Sequence, residues 1–111
     1  MSERMLRVNS ILRQVLAEEI KRLSDERLEM VTVTGVDTSP DLRHALVYID
    51  VLGDPGPALD ALSRAARRLQ AEIGSQVTMK YTPRLDFAVD PAVLSGERIE
   101  TILRDLKKEE E

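Results

Sequence analysis

Apolar residues recur every three or four positions from Glu3 to about Leu23, with Val8, Ile11, Leu12, Val15, Leu16 and Leu23 sharing one side at about 100° per residue. The chain is therefore expected to open on an amphipathic helix, capped by Ser2, with Arg7 and Lys21 on its other side. After the polar stretch Ser24-Asp25-Glu26-Arg27 the period changes to two. Val31, Thr32, Val33, Thr34 and Val36 argue for a strand over about 30–38, and Gly35 interrupts the alternation as a β-bulge would. Ser39-Pro40-Asp41 reads as a turn into a second strand, about 42–52. Its Ala45, Val47, Ile49 and Val51 point one way and Leu42, His44, Leu46, Tyr48 and Asp50 the other. Both sides are partly apolar, which suits a central strand.

Asp54-Pro55-Gly56-Pro57 ends that strand, and Pro57 fits the first turn of a new helix. Leu59, Leu62, Ala66, Leu69, Ile73 and Val77 form its expected buried stripe, while Arg64, Arg67 and Arg68 fall opposite. Gly74 costs about 1 kcal/mol relative to alanine inside a helix, so a kink or an end is expected there. Beyond Pro83 a third strand turns Leu85, Phe87 and Val89 inward. Ser95 then caps a last helix bearing Ile99, Ile102, Leu103 and Leu106. A strand, helix, strand crossover is right-handed and brings its two strands parallel. The expected fold class is α+β, a three-stranded mixed sheet with helices mainly on one face.

With 111 residues, 42% of them apolar, the chain suits a single domain over 1–108 and an acidic tail, 109–111. It contains no cysteine, so disulfides and thiolate metal sites are excluded. Neither a membrane-length apolar run nor a signal-peptide apolar region is present, and the expected location is cytoplasmic. The net charge of −4 speaks against a nucleic-acid partner until its distribution is considered. Residues 1–22 sum to +2, 23–60 to −6, 61–89 to +3 and 90–111 to −3. An acidic protein can thus present a locally basic face.

Candidate chemistry is sparse. His44 is the one histidine, with no thiol to activate, and a Ser-His-Asp arrangement would need Ser39 or Ser63 brought to it. Asp37, Asp41 and Asp50 lack a calcium-loop pattern, and no phosphate-binding glycine motif occurs. No catalytic residue, metal site, cofactor or small-molecule substrate is expected. Arg64, Arg67, Arg68, Lys80 and Arg84 are close enough in the chain to form a phosphate-binding patch, with Arg4 and Arg7 as further members. Six such contacts would cost about a thousandfold in affinity between 50 and 200 mM salt. Tyr48 and Tyr81 alone could stack on bases, so RNA shape and backbone are the expected targets. The alternative is a protein-interaction module, docking through Leu42, Leu46 and Tyr48 on the outer sheet face or through a sheet edge.

Arg7-Val8, Asp25-x-Arg27-Leu28, Val31-Thr32-Val33-Thr34-Gly35-Val36, Ser39-x-Asp41-Leu42, Ala45-x-Val47-Tyr48, Pro83-x-Leu85-x-Phe87-x-x-Asp90 and Gly96-x-Arg98-Ile99 occur in this order. Together they resemble the ribosome-binding factor A family over about residues 4–106. The resemblance implies a type-II K-homology-like fold, helix-strand-strand-helix-(kink)-helix-strand, here followed by a short C-terminal helix. It further implies a monomeric, non-enzymatic ribosome assembly factor that binds 16S rRNA in the immature 30S subunit. Such a factor supports late maturation and 5′-end processing of that RNA, and growth in the cold. Three positions depart from the family's pattern. Arg67 stands where the family has a kink glycine, Gln70 near a usual arginine and Glu26 at a usual proline. With Arg67 in place, the kink could be absent, shallower or moved toward Gly74.

Overall fold

The computed structural model describes residues 2–92. Helix α1, Glu3–Arg22, starts where the Ser2 hydroxyl accepts the Met5 N–H at 3.2 Å. It ends at Leu23, and Ser24 leaves it in the left-handed conformation at φ 53°. Lys21 and Arg22 lie in its last turn, where the helix dipole favours cations. Leu12, Leu16 and Ile20 are buried, whereas Ile11, expected on the same side, is exposed. The polar stretch that follows forms a single 3-10 turn, Glu26–Leu28, with the Asp25 carboxylate accepting the Arg27 N–H.

Strand β1, Val31–Thr38, pairs antiparallel with β2, His44–Val51, and β2 pairs in parallel with β3, Arg84–Val89. The sheet order is β1-β2-β3, so β2 is central as its two-sided apolar character implies. The register slips between Val33 and Gly35, leaving Thr34 as the extra residue of a bulge. Beyond it Val36 returns to the buried face. Both ends of β2 fall short of the expected limits. Leu42 belongs to the turn at φ 63°, and Leu52 is largely exposed.

Helix α2, Gly56–Gln76, is one unbroken helix. Where the resemblance implies two helices there is a single element here, and it ends at Gln76, two residues past the Gly74 at which a kink or an end is expected. Arg67 is a good helix former where a glycine would weaken the backbone, so the helix continues through that position. Gly74 has a different use. A Cβ there would lie 3.1 Å from the Thr82 hydroxyl oxygen, so its smallness lets the 77–83 connection pass close to the helix.

Both helices cover the same sheet face. Leu12, Leu16, Ile20, Leu62, Leu69 and Ile73 meet Val33, Val36, Ala45, Val47, Ile49 and Leu85 in one core. The α2 stripe differs from the expected one. Ala58 and Ala61 are buried, while Leu59 and Ala66 are only half-buried. Between the helices, buried Glu19 accepts the Gln76 amide N–H at 2.8 Å and pairs with Arg22 at 3.2 Å. The last predicted helix and the acidic tail lie outside the described residues. Pro91 and Ala92 are already helical, with the Ala92 N–H donating to Asp90 at 2.9 Å.

One buried polar contact yields a test. The Thr38 N–H donates to Asn9 Oδ1 at 3.0 Å, but its side-chain Oγ1 is buried and has no partner among the described residues. A lone buried hydroxyl is destabilising, and valine has nearly its shape. Thr38→Val is expected to raise unfolding stability by about 1 kcal/mol, read as a higher urea midpoint at unchanged slope.

Candidate nucleic-acid interface

The hairpin turn is organised around Ser39. Its N–H donates to the His44 carbonyl and its own carbonyl accepts the Leu42 N–H, both at 2.8 Å. Its hydroxyl lies 2.6 Å from Asp41 Oδ1 and accepts the His44 N–H at 3.1 Å. That hydroxyl is thus committed to the turn, and Ser63 lies elsewhere, on α2. Leu42 adopts its left-handed conformation between these bonds, an arrangement a leucine takes only where its surroundings hold it. The next residue, Arg43, sits at the threshold of β2. Its carbonyl accepts the Arg84 N–H at 2.8 Å, tying the start of β3 to the hairpin.

Two depressions meet at Arg43. The first, about 520 Å³, is walled by Ser2, Arg4 and Met5 at the start of α1, by Pro40–Leu42, and by Arg43, Lys80 and Tyr81. The Arg43 guanidinium lies 4.8 Å from the Tyr81 ring centroid and the Lys80 ammonium 5.5 Å. Both are within cation–π range. The second, about 610 Å³, runs between α2 and β3 and is lined by Arg43, Ser63, Ala66, Arg67, Gln70, Thr82, Arg84, Leu85 and Asp86. Gln70 has a structural task there, since its Oε1 accepts the Leu85 N–H at 3.2 Å. An arginine at that position could not accept this bond.

The expected basic residues are thus divided. Arg4 and Lys80 share the first depression, and Arg67 and Arg84 the second. Arg64, Arg68 and Arg7 are exposed but line neither. At about 100° per residue, Arg64 and Arg68 are turned roughly 90° and 130° from the centre of the side bearing Ser63, Arg67 and Gln70. Arg64 instead pairs with Asp60 at 3.2 Å, a carboxylate that Arg27 also approaches at 3.7 Å. Arg43, common to both depressions, is not among the basic residues expected from the sequence, since it belongs to the acidic segment 23–60. Its one local signal is its place just before β2.

The outer sheet face carries Arg84 at the edge it shares with the second depression and is acidic beyond it. Across the strands Leu46 stands between Asp37 and Asp86, and Tyr48 between Gly35 and Ala88, with Asp50 further along. Leu42, expected to join Leu46 and Tyr48 there, lies instead in the wall of the first depression. Asp90 accepts the Thr34 hydroxyl at 2.7 Å, and this bond, followed by the Ala92 N–H, holds its pKa below the usual carboxylate value. These carboxylates disfavour a phosphate backbone on that side.

Asp41 is held below its ordinary pKa first by the Ser39 hydroxyl and then by the Arg43 N–H. A carboxylate with a lowered folded-state pKa contributes its stabilisation above the unfolded value of about 3.9 and loses it as pH falls through the lowered one. Ser39→Ala is expected to move the Asp41 midpoint upward in an NMR carboxyl titration. An unmoved midpoint would show that the hydroxyl does not hold the charge.

Among the described residues no helix is long and apolar enough to cross a membrane, and no three His, Cys, Asp or Glu residues are grouped to hold a metal. The family model described as Ribosome-binding factor A matches residues 4–103. Ribosome-binding factor A of Rubrobacter xylanophilus is 43% identical over 110 residues, covering 96% of this chain and 90% of that protein. The crystal structure of the factor from Thermus thermophilus is similar at a TM-score of 0.75 with 40% identity, over 77% of this chain and 94% of that one. A Thermus thermophilus homology model, fitted into a cryo-electron-microscopy map of a 30S complex, is similar at a TM-score of 0.66 with 42% identity. That likeness covers 75% of this chain and 91% of that one. The family model's match over residues 4–103 and the 43% identity over most of both chains show that the chain belongs to the ribosome-binding factor A family.

Proposed function

We propose that the protein is a non-enzymatic assembly factor of the small ribosomal subunit that binds 16S rRNA in immature 30S particles through the track of cations crossing Arg43. It acts as a monomer in the cytoplasm, supports late maturation and 5′-end processing of 16S rRNA, and aids growth in the cold. The observation that carries this reading is the convergence of Arg4, Lys80, Arg43, Arg67 and Arg84 on two adjoining depressions of an otherwise acidic molecule. Guanidinium groups donate paired hydrogen bonds to phosphate, and the acidic outer sheet leaves one side for the RNA.

Five phosphate contacts give a slope of log affinity against log salt of about −3.5 to −4.5, or a hundredfold loss or more between 50 and 200 mM. Co-sedimentation with immature 30S particles is expected to show that loss and to be weaker with mature subunits. Binding that ignores salt, or an absence of binding at 50 mM, would overturn the proposal.

A further inference from the structure

We propose that the Tyr81 ring seats one unpaired RNA base, with Arg43 supporting the ring and Lys80 and Arg4 holding the flanking phosphates. This inference rests on the RNA reading above and adds to it the strandedness of the segment bound. Tyr81 is 40% exposed, yet two cations are gathered on its ring. An open aromatic flanked by cations has the parts of a single-strand site, since bases stack on aromatic rings and guanidinium planes while the cations meet the backbone.

The two cations differ in what they can do. The Arg43 guanidinium is planar and the nearer, and its backbone is tied to β3 through the Arg84 N–H. Lys80 is a point charge on a flexible stem and lies farther from the ring. An arriving base displaces Lys80, which turns to the neighbouring phosphate, and Arg43 remains. The depression beyond Arg43 holds Arg67 and Arg84 but no aromatic residue, so it suits phosphate and ribose. A strand crossing Arg43 would leave a base on one side and continue as backbone on the other. Bases within a duplex are already stacked and cannot reach the ring.

The chain has no Trp, and Tyr48 and Tyr81 are its tyrosines, so Tyr48→Phe leaves Tyr81 as the reporter. In that full-length background, hexaadenylate is expected to quench Tyr81 emission, and a hexamer of the same backbone without bases is not. Tyr81→Leu is expected to weaken hexaadenylate binding about tenfold and leave the affinity for a blunt RNA duplex unchanged, whereas Tyr81→Phe retains both. Equal quenching by the abasic hexamer, or a Tyr81→Leu effect that is absent or equal on both RNAs, would overturn the stacking seat. If Arg43→Glu still abolished RNA binding in that case, the RNA reading would stand without it. If the unmodified protein bound none of these RNAs or 30S particles at 50 mM salt, both would fall.

Discussion

Changing Arg43 and Arg84 together to glutamate is expected to lower affinity for immature 30S particles by two orders of magnitude or more, with little change in folding stability. Each substitution removes a phosphate contact and puts a negative charge in its place, and charge-assisted hydrogen bonds contribute about 1.5–3 kcal/mol apiece. Both side chains are exposed, and the bond between the Arg84 N–H and the Arg43 carbonyl belongs to the backbone, so it survives the exchange. Loss of two contacts should make the salt dependence shallower by about two in slope. Arg64→Glu with Arg68→Glu is the informative contrast. It changes net charge equally but alters neither depression, so its effect should be several-fold smaller. Co-sedimentation across a salt series measures both pairs. Equal losses would extend the interface to Arg64 and Arg68, which the sequence alone groups with Arg67, Lys80 and Arg84.

Leu62→Ala is expected to destabilise the domain by about 3 kcal/mol, within the usual 2–5 kcal/mol for such a truncation. Leu62 has no exposed surface and belongs to the core cluster that joins α1, α2 and the sheet. Removing its branched end leaves a cavity that two helices and a central strand cannot readily close. A domain of this size commonly has 5–15 kcal/mol of stability, so the loss is a large share of it. Leu59→Ala, on the same helix but half-buried, should cost clearly less. Urea unfolding of both variants provides the check. A Leu62→Ala cost below about 1 kcal/mol would mean that the core relaxes into the gap.

How much of this was legible beforehand follows the range of the interactions involved. Ser2 caps α1, Gly35 marks the bulge and β2 is central, as the spacing implied, because caps, bulges and two-sided apolar strands leave their marks within a few residues. Gly74, two residues before the end of α2, is a different case. Its helix cost is read from the residue itself, but its use depends on Thr82, which the chain brings back against α2. Ala66 was similarly ambiguous, since a small apolar residue suits either a core stripe or a groove wall.

The basic interface depended on longer-range geometry. Residues 61–89 are visibly basic in the linear chain, and Arg67, Lys80 and Arg84 do line the two depressions. That Arg43 joins them follows from the parallel register of His44 opposite Arg84, a pairing of residues 40 positions apart. Periodicities of 3.6 and 2 record which side of an element is buried, because each element meets the core as a unit. They carry no record of which element ends come together. The linear pattern was therefore enough for α1, α2, the hairpin and the buried faces of most of their residues. Sheet register and the packing of α2 on β3 were needed to bring Arg43 to both depressions and leave Arg64 beside Asp60, since hydrogen bonding between distant strands sets which charges become neighbours.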